Sequence, residues 1–299
     1  MRAQMMGWKR LVGRGEAVSR AGQMAAPAEP WSAPTIGVSL GGGFARGMAH
    51  IGVLQVLEEH RIPIDYIAGV SAGAIVAAAY ASGASPQEIA KVAVSMRFGD
   101  VARWTFAKLG FCCTDRMGGL LSRLLKCSRF EDMKKPVAVV ATDLKTGNPV
   151  TFGGVGDVGL AVRASCAFPG IFQPIRLEGH TLTDGAISME VPSEPLRKMG
   201  AKRVIAVCIP KEDETAEPTN LVEVIGRSMQ IMQMRTEDLW RAQSDLVIAP
   251  QVARWSWHDF RHAEQVIEAG ADSARKALPL IRQWLEPPTS NLVSLPPAA

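Results

Sequence analysis

The sequence lacks several marks that would settle a function class at once. It has no C-x-x-C pair, and its cysteines, Cys112, Cys113, Cys127, Cys166 and Cys208, are odd in number. Neighbours such as Cys112 and Cys113 rarely bond each other. Neither a disulfide framework nor a zinc site is therefore expected, and reduced thiols in a cytoplasmic protein are. No run of about 18 apolar residues is free of charge, so no transmembrane helix is expected. The start, "MRAQMMGWKRLVGRGEAVSRAGQ", is basic but has no continuous apolar core, which argues against a secretory signal. The net charge of +4 is too small to point to nucleic acid. It suits a mild attraction to an anionic membrane surface without requiring one. No internal repeat of roughly 20 to 50 residues is visible.

What is present is 299 residues, 47% of them hydrophobic, enough for one large α/β domain with a sizeable core. The expected limits are a flexible basic tail over 1–33, a catalytic domain over 34–286 and a second flexible tail over 287–299. "TIGVSL" reads as a short buried strand, "GGGFARG" as a glycine loop and "MAHIGVLQVLEEH" as a helix. "PIDYIAGV" is a second strand and "SAGAIVAAAYASG" a second helix. "SPQEIAKVAVSM" opens a third helix, with Ser85 as cap, Pro86 in the first position and Glu88 closing a capping box. Residues 100–130 are less regular, and their plainest reading is two core helices around an "MGG" break, the alternative being a mobile cap that touches a bilayer. Further strands are expected at "PVAVVATDL", "PVTFG", "QPIRL", "TLTDGA", "RVIAVCIP" and "DLVIAP". Helices are expected at "DVGLAVRASCAF", at "NLVEVIGRSMQIMQMRTEDLWRAQS" and over the closing segment. Strands alternating with helices predict an α/β/α sandwich with a mainly parallel central sheet.

Gly69-Val70-Ser71-Ala72-Gly73 matches G-x-S-x-G between a strand and a helix. A nucleophile at so tight a turn has strained backbone angles, and glycines two residues away on either side relieve the crowding. The helix behind it presents free N–H groups and the positive end of its dipole. The plain alternative is that Ser71 merely caps the helix.

The loop "GGGFARG" also joins a strand to a helix. Phe44 breaks the dinucleotide spacing, and no lysine-serine pair supports a Walker loop. An oxyanion hole fits better, with donors from Gly42, Gly43 and the N–H of Phe44 on one side and of Ala72 on the other. Arg46 and Gly47 complete the loop, Arg46 as a support or as a contact for an anionic head group.

A serine needs a base. His258 and His262 stand late enough in the chain for a Ser-Asp-His order, but only one strand-helix unit precedes the elbow. Asp184, at a strand end in "TLTDGA", is the stronger candidate, and a plain Asp-Gly turn is the alternative there. Asp143 is a rival at another strand end, read as bonding the "KTGN" turn.

The glycine loop with Arg46, "GVSAG" and "DGA" stand in an order that resembles the patatin-like phospholipases, in particular their bacterial single-domain branch. The flanking "AHIGVLQVLEE", "VRASCAFPGIF" and "GAKRVIAV" extend the resemblance over about 35–285. It implies a three-layer α/β/α fold and a dyad of Ser71 as nucleophile and Asp184 as base, cleaving acyl esters of phospholipids or lysophospholipids. It implies no metal and no cofactor. The implied partner is a lipid or ester substrate, with peripheral membrane contact and no nucleic acid. On the alternative reading of 100–130, the mobile cap would guide an acyl chain to Ser71. Two features depart from the family: Phe44 stands where its loop usually has glycine, and "DGAISMEVP" lacks the asparagines often found after the aspartate. A transacylase, or a lipid-binding protein with a vestigial dyad, is the alternative reading.

Overall fold

The structure, a computed structural model, describes residues 32–105, 107–210 and 217–287. The expected tails lie outside these residues except at their inner ends. In chain order, β1 (Ile36–Leu40) leads through the glycine loop and a 3-10 turn (Phe44–Met48) into α1 (Ala49–Glu59). Next, β2 (Tyr66–Val70) leads into α2 (Ala72–Ala81). α3 (Pro86–Ser95) follows behind the Ser85 cap, and both bonds of the capping box are made.

Then come α4 (Phe98–Val101), a hairpin of β3 (Arg103–Trp104) and β4 (Cys112–Cys113), and α5 (Met117–Leu124). The sequence suggests two helices around "MGG" here. Instead the glycines lie in the first turn of α5, and the residues before it pair as a hairpin. After these follow β5 (Val137–Asp143), β6 (Pro149–Phe152), α6 (Val158–Ser165), β7 (Ile175–Leu177) and β8 (His180–Asp184). The chain continues through α7 (Ser193–Met199), β9 (Arg203–Val207), α8 (Leu221–Arg241) and β10 (Leu246–Ile248). The closing segment is a single helix, α9 (Ala263–Leu285), which carries Pro279 within it.

The main sheet runs β10-β9-β1-β2-β5-β8-β7, with β6 also on β5. Neighbours from β10 to β5 are parallel, whereas β6, β7 and β8 pair antiparallel. β1 and β5 are buried along their whole length, as strands covered on both faces must be. Alternate residues serve the two faces. Val38, Leu40, Ile67, Val139 and Ile205 share a core with α1, α2, α3 and α9. Ala68, Ala138 and Val204 face Leu196 of α7, and Ala206 meets Trp240 of α8. This is the expected three-layer sandwich.

That layering decides where a ligand site falls. The chain leaves β1 for α1 on one face of the sheet and leaves β9 for α8 on the other. β1 and β9 are neighbours, so a crevice opens beyond their carboxyl ends, as at the switch point of any open α/β sheet. The glycine loop after β1 and Ile209-Pro210 after β9 line it.

α1 is fixed from outside by α9. A Cβ on Gly52 would stand 1.8 Å from the Ile267 carbonyl oxygen, and one on Gly270 1.9 Å from that of Ala49. Backbone meets backbone here, with nothing soft to move aside. Gly52→Val is expected to lower unfolding free energy by about 3 kcal/mol or more. By contrast, a Cβ on Gly118 in α5 would meet nothing within 4 Å. Gly118→Ala is expected to stabilise by roughly 0.5–1 kcal/mol. Urea unfolding of the two variants checks both signs.

Candidate active site

Ser71 stands in the single-residue turn between β2 and α2, at φ 53° and ψ −124°. This left-handed conformation costs a non-glycine residue of order 1–3 kcal/mol and persists only where neighbours enforce it. They do so on every side. The Ser71 N–H donates to Ser165 Oγ at 2.8 Å, and that hydroxyl donates to the Val140 carbonyl at 2.6 Å. The Cys166 thiol donates to the Ser71 carbonyl at 3.2 Å. A Cβ on Gly69 would sit 2.4 Å from the Gly73 carbonyl, and one on Gly73 2.2 Å from that of Leu40. Both glycines of the motif are thus close-approach residues. The Ser71 side chain makes no cap bond to α2. Its hydroxyl donates to Asp184 Oδ2 at 2.7 Å.

Asp184 ends β8, which antiparallel pairing lays against Ala141 of β5. Its backbone N–H donates to the Ala167 carbonyl at 3.0 Å, and its own carbonyl accepts from Thr142 Oγ1 at 2.9 Å. The second carboxylate oxygen, Oδ1, accepts from the Ala186 N–H at 2.9 Å. The side chain is buried, at 1% exposure. Burial pushes the carboxyl up to about 6, against the pull of the Ala186 N–H and the Ser71 hydroxyl. It therefore titrates closer to neutrality than an ordinary aspartate.

Over this pair lies the glycine loop. A Cβ on Gly42 would fall 3.7 Å from Ser71 Cβ, and one on Gly47 2.6 Å from Ala72 Cβ. Gly43, Phe44 and Ala72 stand at the openings of the 3-10 turn and α2, where backbone N–H groups lack intrahelical partners. Gly42 differs from its expected role. Its N–H donates to the Glu190 carbonyl at 3.3 Å, so it is taken up by the fold of the loop. Arg46 is buried and lines the same cleft.

No histidine is a hydrogen-bond partner of Ser71 or Asp184 among the described residues. His258 pairs with Ser256, and His262 lies 3.6 Å from Asp259. The Asp143 carboxylate accepts from Lys145 N–H and Thr146 Oγ1 of the "KTGN" turn and faces His180.

Two cavities meet at Ser71 and Phe44. One is mixed in character, lined by Arg46, Glu190, Glu223, Arg227, Gln230 and Gln233. The other runs between α1, α2, α3 and α5, lined by Ile51, Ile75, Ile89, Met96, Met117 and Leu124.

A family model described as patatin-like phospholipase matches residues 38–197, more than half of the 299-residue chain. The chain belongs to the patatin-like phospholipase family. It is 33% identical over 208 residues to an uncharacterised NTE family protein of Mycobacterium tuberculosis, covering 67% of this chain and 57% of that one. It is 34% identical over 190 residues to human patatin-like phospholipase domain-containing protein 6, covering 60% of this chain and 14% of that one. The chain therefore spans little more than half the length of the mycobacterial relative. Among solved structures, VipD from Legionella pneumophila superposes with a TM-score of 0.51 at 14% identity, over 83% of this chain and 67% of that one. At that identity the likeness is one of fold.

Set in this patatin-like frame, Phe44 has a physical account. Its φ is 51°, the left-handed region that glycine enters freely. Here a side chain accepts that strain and packs its ring. Trp257 meets it edge-on at 4.9 Å, and Phe98, Phe168 and Phe260 stand around it at 6.2–6.5 Å between ring centroids. Two braces of the elbow, Ser165 and Cys166, escape a motif reading. The one signal for them is polar residues closing an otherwise apolar helix in "VRASCAFPG".

The raised carboxyl of Asp184 has a consequence for stability. Above its unfolded value of 3.8, the unfolded chain releases this proton more readily than the folded one. The stability tied to the protonated form is complete below about 4 and is lost as pH rises through about 6. Asp184→Asn keeps the bond from the Ala186 N–H and carries no charge. It is expected to melt higher than wild type at pH 8, with the gap closing at pH 4–5. Thermal unfolding at the two pH values measures this.

Proposed function

We propose that this chain is a lipid acyl hydrolase, with Ser71 as nucleophile and Asp184 as general base, cleaving acyl esters of phospholipids or lysophospholipids. The observation that carries the reading is the 2.7 Å bond from the Ser71 hydroxyl to a buried carboxylate, made where an apolar cavity meets one of mixed character. Membership of a phospholipase family supports the same substrate class.

In this mechanism Ser71 Oγ attacks the ester carbonyl carbon as its proton passes to Asp184 Oδ2. The carbonyl oxygen becomes an oxyanion, stabilised by the N–H groups of Gly43, Phe44 and Ala72 and by the positive end of α2. The carbon–oxygen bond to the leaving alcohol breaks, and the alcohol departs with the proton from Asp184. Water then attacks the acyl-serine, giving its proton to Asp184, which returns it to Ser71 Oγ as the fatty acid leaves. The apolar cavity takes the acyl chain, and the cleft with Arg46 and Arg227 takes the head group.

Access from a lipid surface fits the rim of the site. Trp104, Leu109 and Phe111 of the β3–β4 hairpin are exposed at 72%, 59% and 46%, and Leu221 at the start of α8 at 60%. A shallow groove lined by Trp104, Phe111 and Val222 leads from them to Phe44. Apolar groups gathered at the mouth of a pocket mark a contact surface.

The test is fatty acid release from phospholipid and lysophospholipid vesicles. Ser71→Ala and Asp184→Asn are each expected to lose at least about 10³-fold in kcat, in keeping with the loss of a nucleophile or its base. Wild-type kcat/KM should fall as pH drops below about 6, where Asp184 takes up its proton. Equal release by all three proteins would overturn the assignment.

A further inference from the structure

A loop built on Gly41-Gly42-Gly43 bends at little cost, and by the same freedom its peptide units can turn over. An oxyanion hole works only if its donors are fixed before the reaction begins. Something outside the loop must therefore hold it.

The Gly41–Gly42 peptide is held at both ends. Its N–H donates to the Glu190 carbonyl at 3.3 Å. Its carbonyl, the Gly41 oxygen, lies 2.8 Å from His50 Nε2. A backbone carbonyl only accepts, so the imidazole donates, and its proton is on Nε2. His50 is wholly buried in α1, and its Nδ1 has no hydrogen-bond partner. Burial also pushes the imidazole down to about 4, partly offset by the Gly41 carbonyl, so the ring is neutral at working pH. A buried histidine with one nitrogen bare is a costly way to fill space. The same carbonyl abuts the nucleophile helix, where a Cβ on Gly73 would come within 2.5 Å of it. A Cβ on Gly47 would in turn meet His50 Cδ2 at 3.8 Å and Ala72 Cβ at 2.6 Å. His50 thus bonds the glycine loop at Gly41 and lies beside Gly47, next to the start of α2.

We infer that His50 is a positioning residue for the oxyanion loop: its Nε2–H locks the Gly41–Gly42 peptide against rotation and so fixes the Gly43 and Phe44 donors over Ser71. It touches neither substrate nor the reacting atoms. The inference rests on the acyl-hydrolase reading above.

The test compares His50→Leu, which fills the space without a donor, with His50→Gln, whose side-chain amide N–H can reach the same carbonyl. With a p-nitrophenyl ester, His50→Leu should lose about 10- to 100-fold in kcat with KM within about twofold, below the full loss of an oxyanion donor. His50→Gln should recover most of that loss. Imidazole 15N spectra of the wild type should show the neutral Nε2–H form across pH 6–8, a reading that needs no variant to fold. A folded His50→Leu with wild-type kcat, or an Nδ1–H tautomer, would overturn the inference. Failure of the wild type itself to turn over any ester would instead overturn the hydrolase reading, and the tautomer would still judge the clamp.

Discussion

The short bond between the Ser71 hydroxyl and the Asp184 carboxylate is the constraint around which the rest of this molecule is arranged. Each partner arrives in an unfavourable state. The serine has a left-handed backbone, and the aspartate is a buried acid whose charge water does not reach. Neither state would persist in a loose loop. Ser71 is placed by a parallel strand inside the sheet and by backbone contacts too close for any side chain at Gly69 or Gly73. Asp184 is placed by antiparallel pairing with β5, whose Val140 carbonyl also holds the Ser165 brace of the elbow. One strand thus sets both ends of the bond.

The surrounding layers explain how so much strain is tolerated near one point. The sheet is covered on both faces, and its apolar residues alternate strictly between them. α1 crosses α9 at backbone contact, which fixes the helix that carries His50 and follows the glycine loop. The aromatic cluster around Phe44 braces the same loop from its outer side, and the Trp257 carbonyl accepts from the Ala45 N–H at 3.0 Å. The loop therefore lies between two rigid walls, as the donors of the proposed oxyanion hole require.

Much of this was legible in the residue pattern, for identifiable reasons. Buried parallel strands read as short apolar runs, and "TIGVSL", "PIDYIAGV" and "PVAVVATDL" each form one. The capping box at Ser85 and Glu88 marked a helix start to the residue. The pairing of Ser71 with Asp184 was legible because a tight strand-to-helix turn and a strand-ending Asp-Gly demand particular small neighbours. What escaped was tertiary. Nothing in "GGGFARG" says that the Gly42 N–H turns toward Glu190, a residue 148 positions away that meets it only across the folded sheet. The partner of His50 was hidden in the same way, because the carbonyl it bonds lies in the glycine loop rather than in its own helix. The 100–130 segment misled because its leucines and glycines form a helix only from Met117 on, whereas nothing in the residues before it marks the pairing of Arg103–Trp104 with Cys112–Cys113. Phe44 broke a glycine pattern while keeping the backbone conformation that pattern serves.

The central claim is that a buried carboxylate activates Ser71 without a histidine. The most direct measurement is the rate at which a long-chain fluorophosphonate modifies the protein as a function of pH, with the site located by peptide mass spectrometry. The account predicts a single adduct on Ser71, forming faster as pH rises through about 6 and almost absent in Asp184→Asn. Labelling of Ser71 at the same rate in Asp184→Asn, or of another residue in its place, would contradict it.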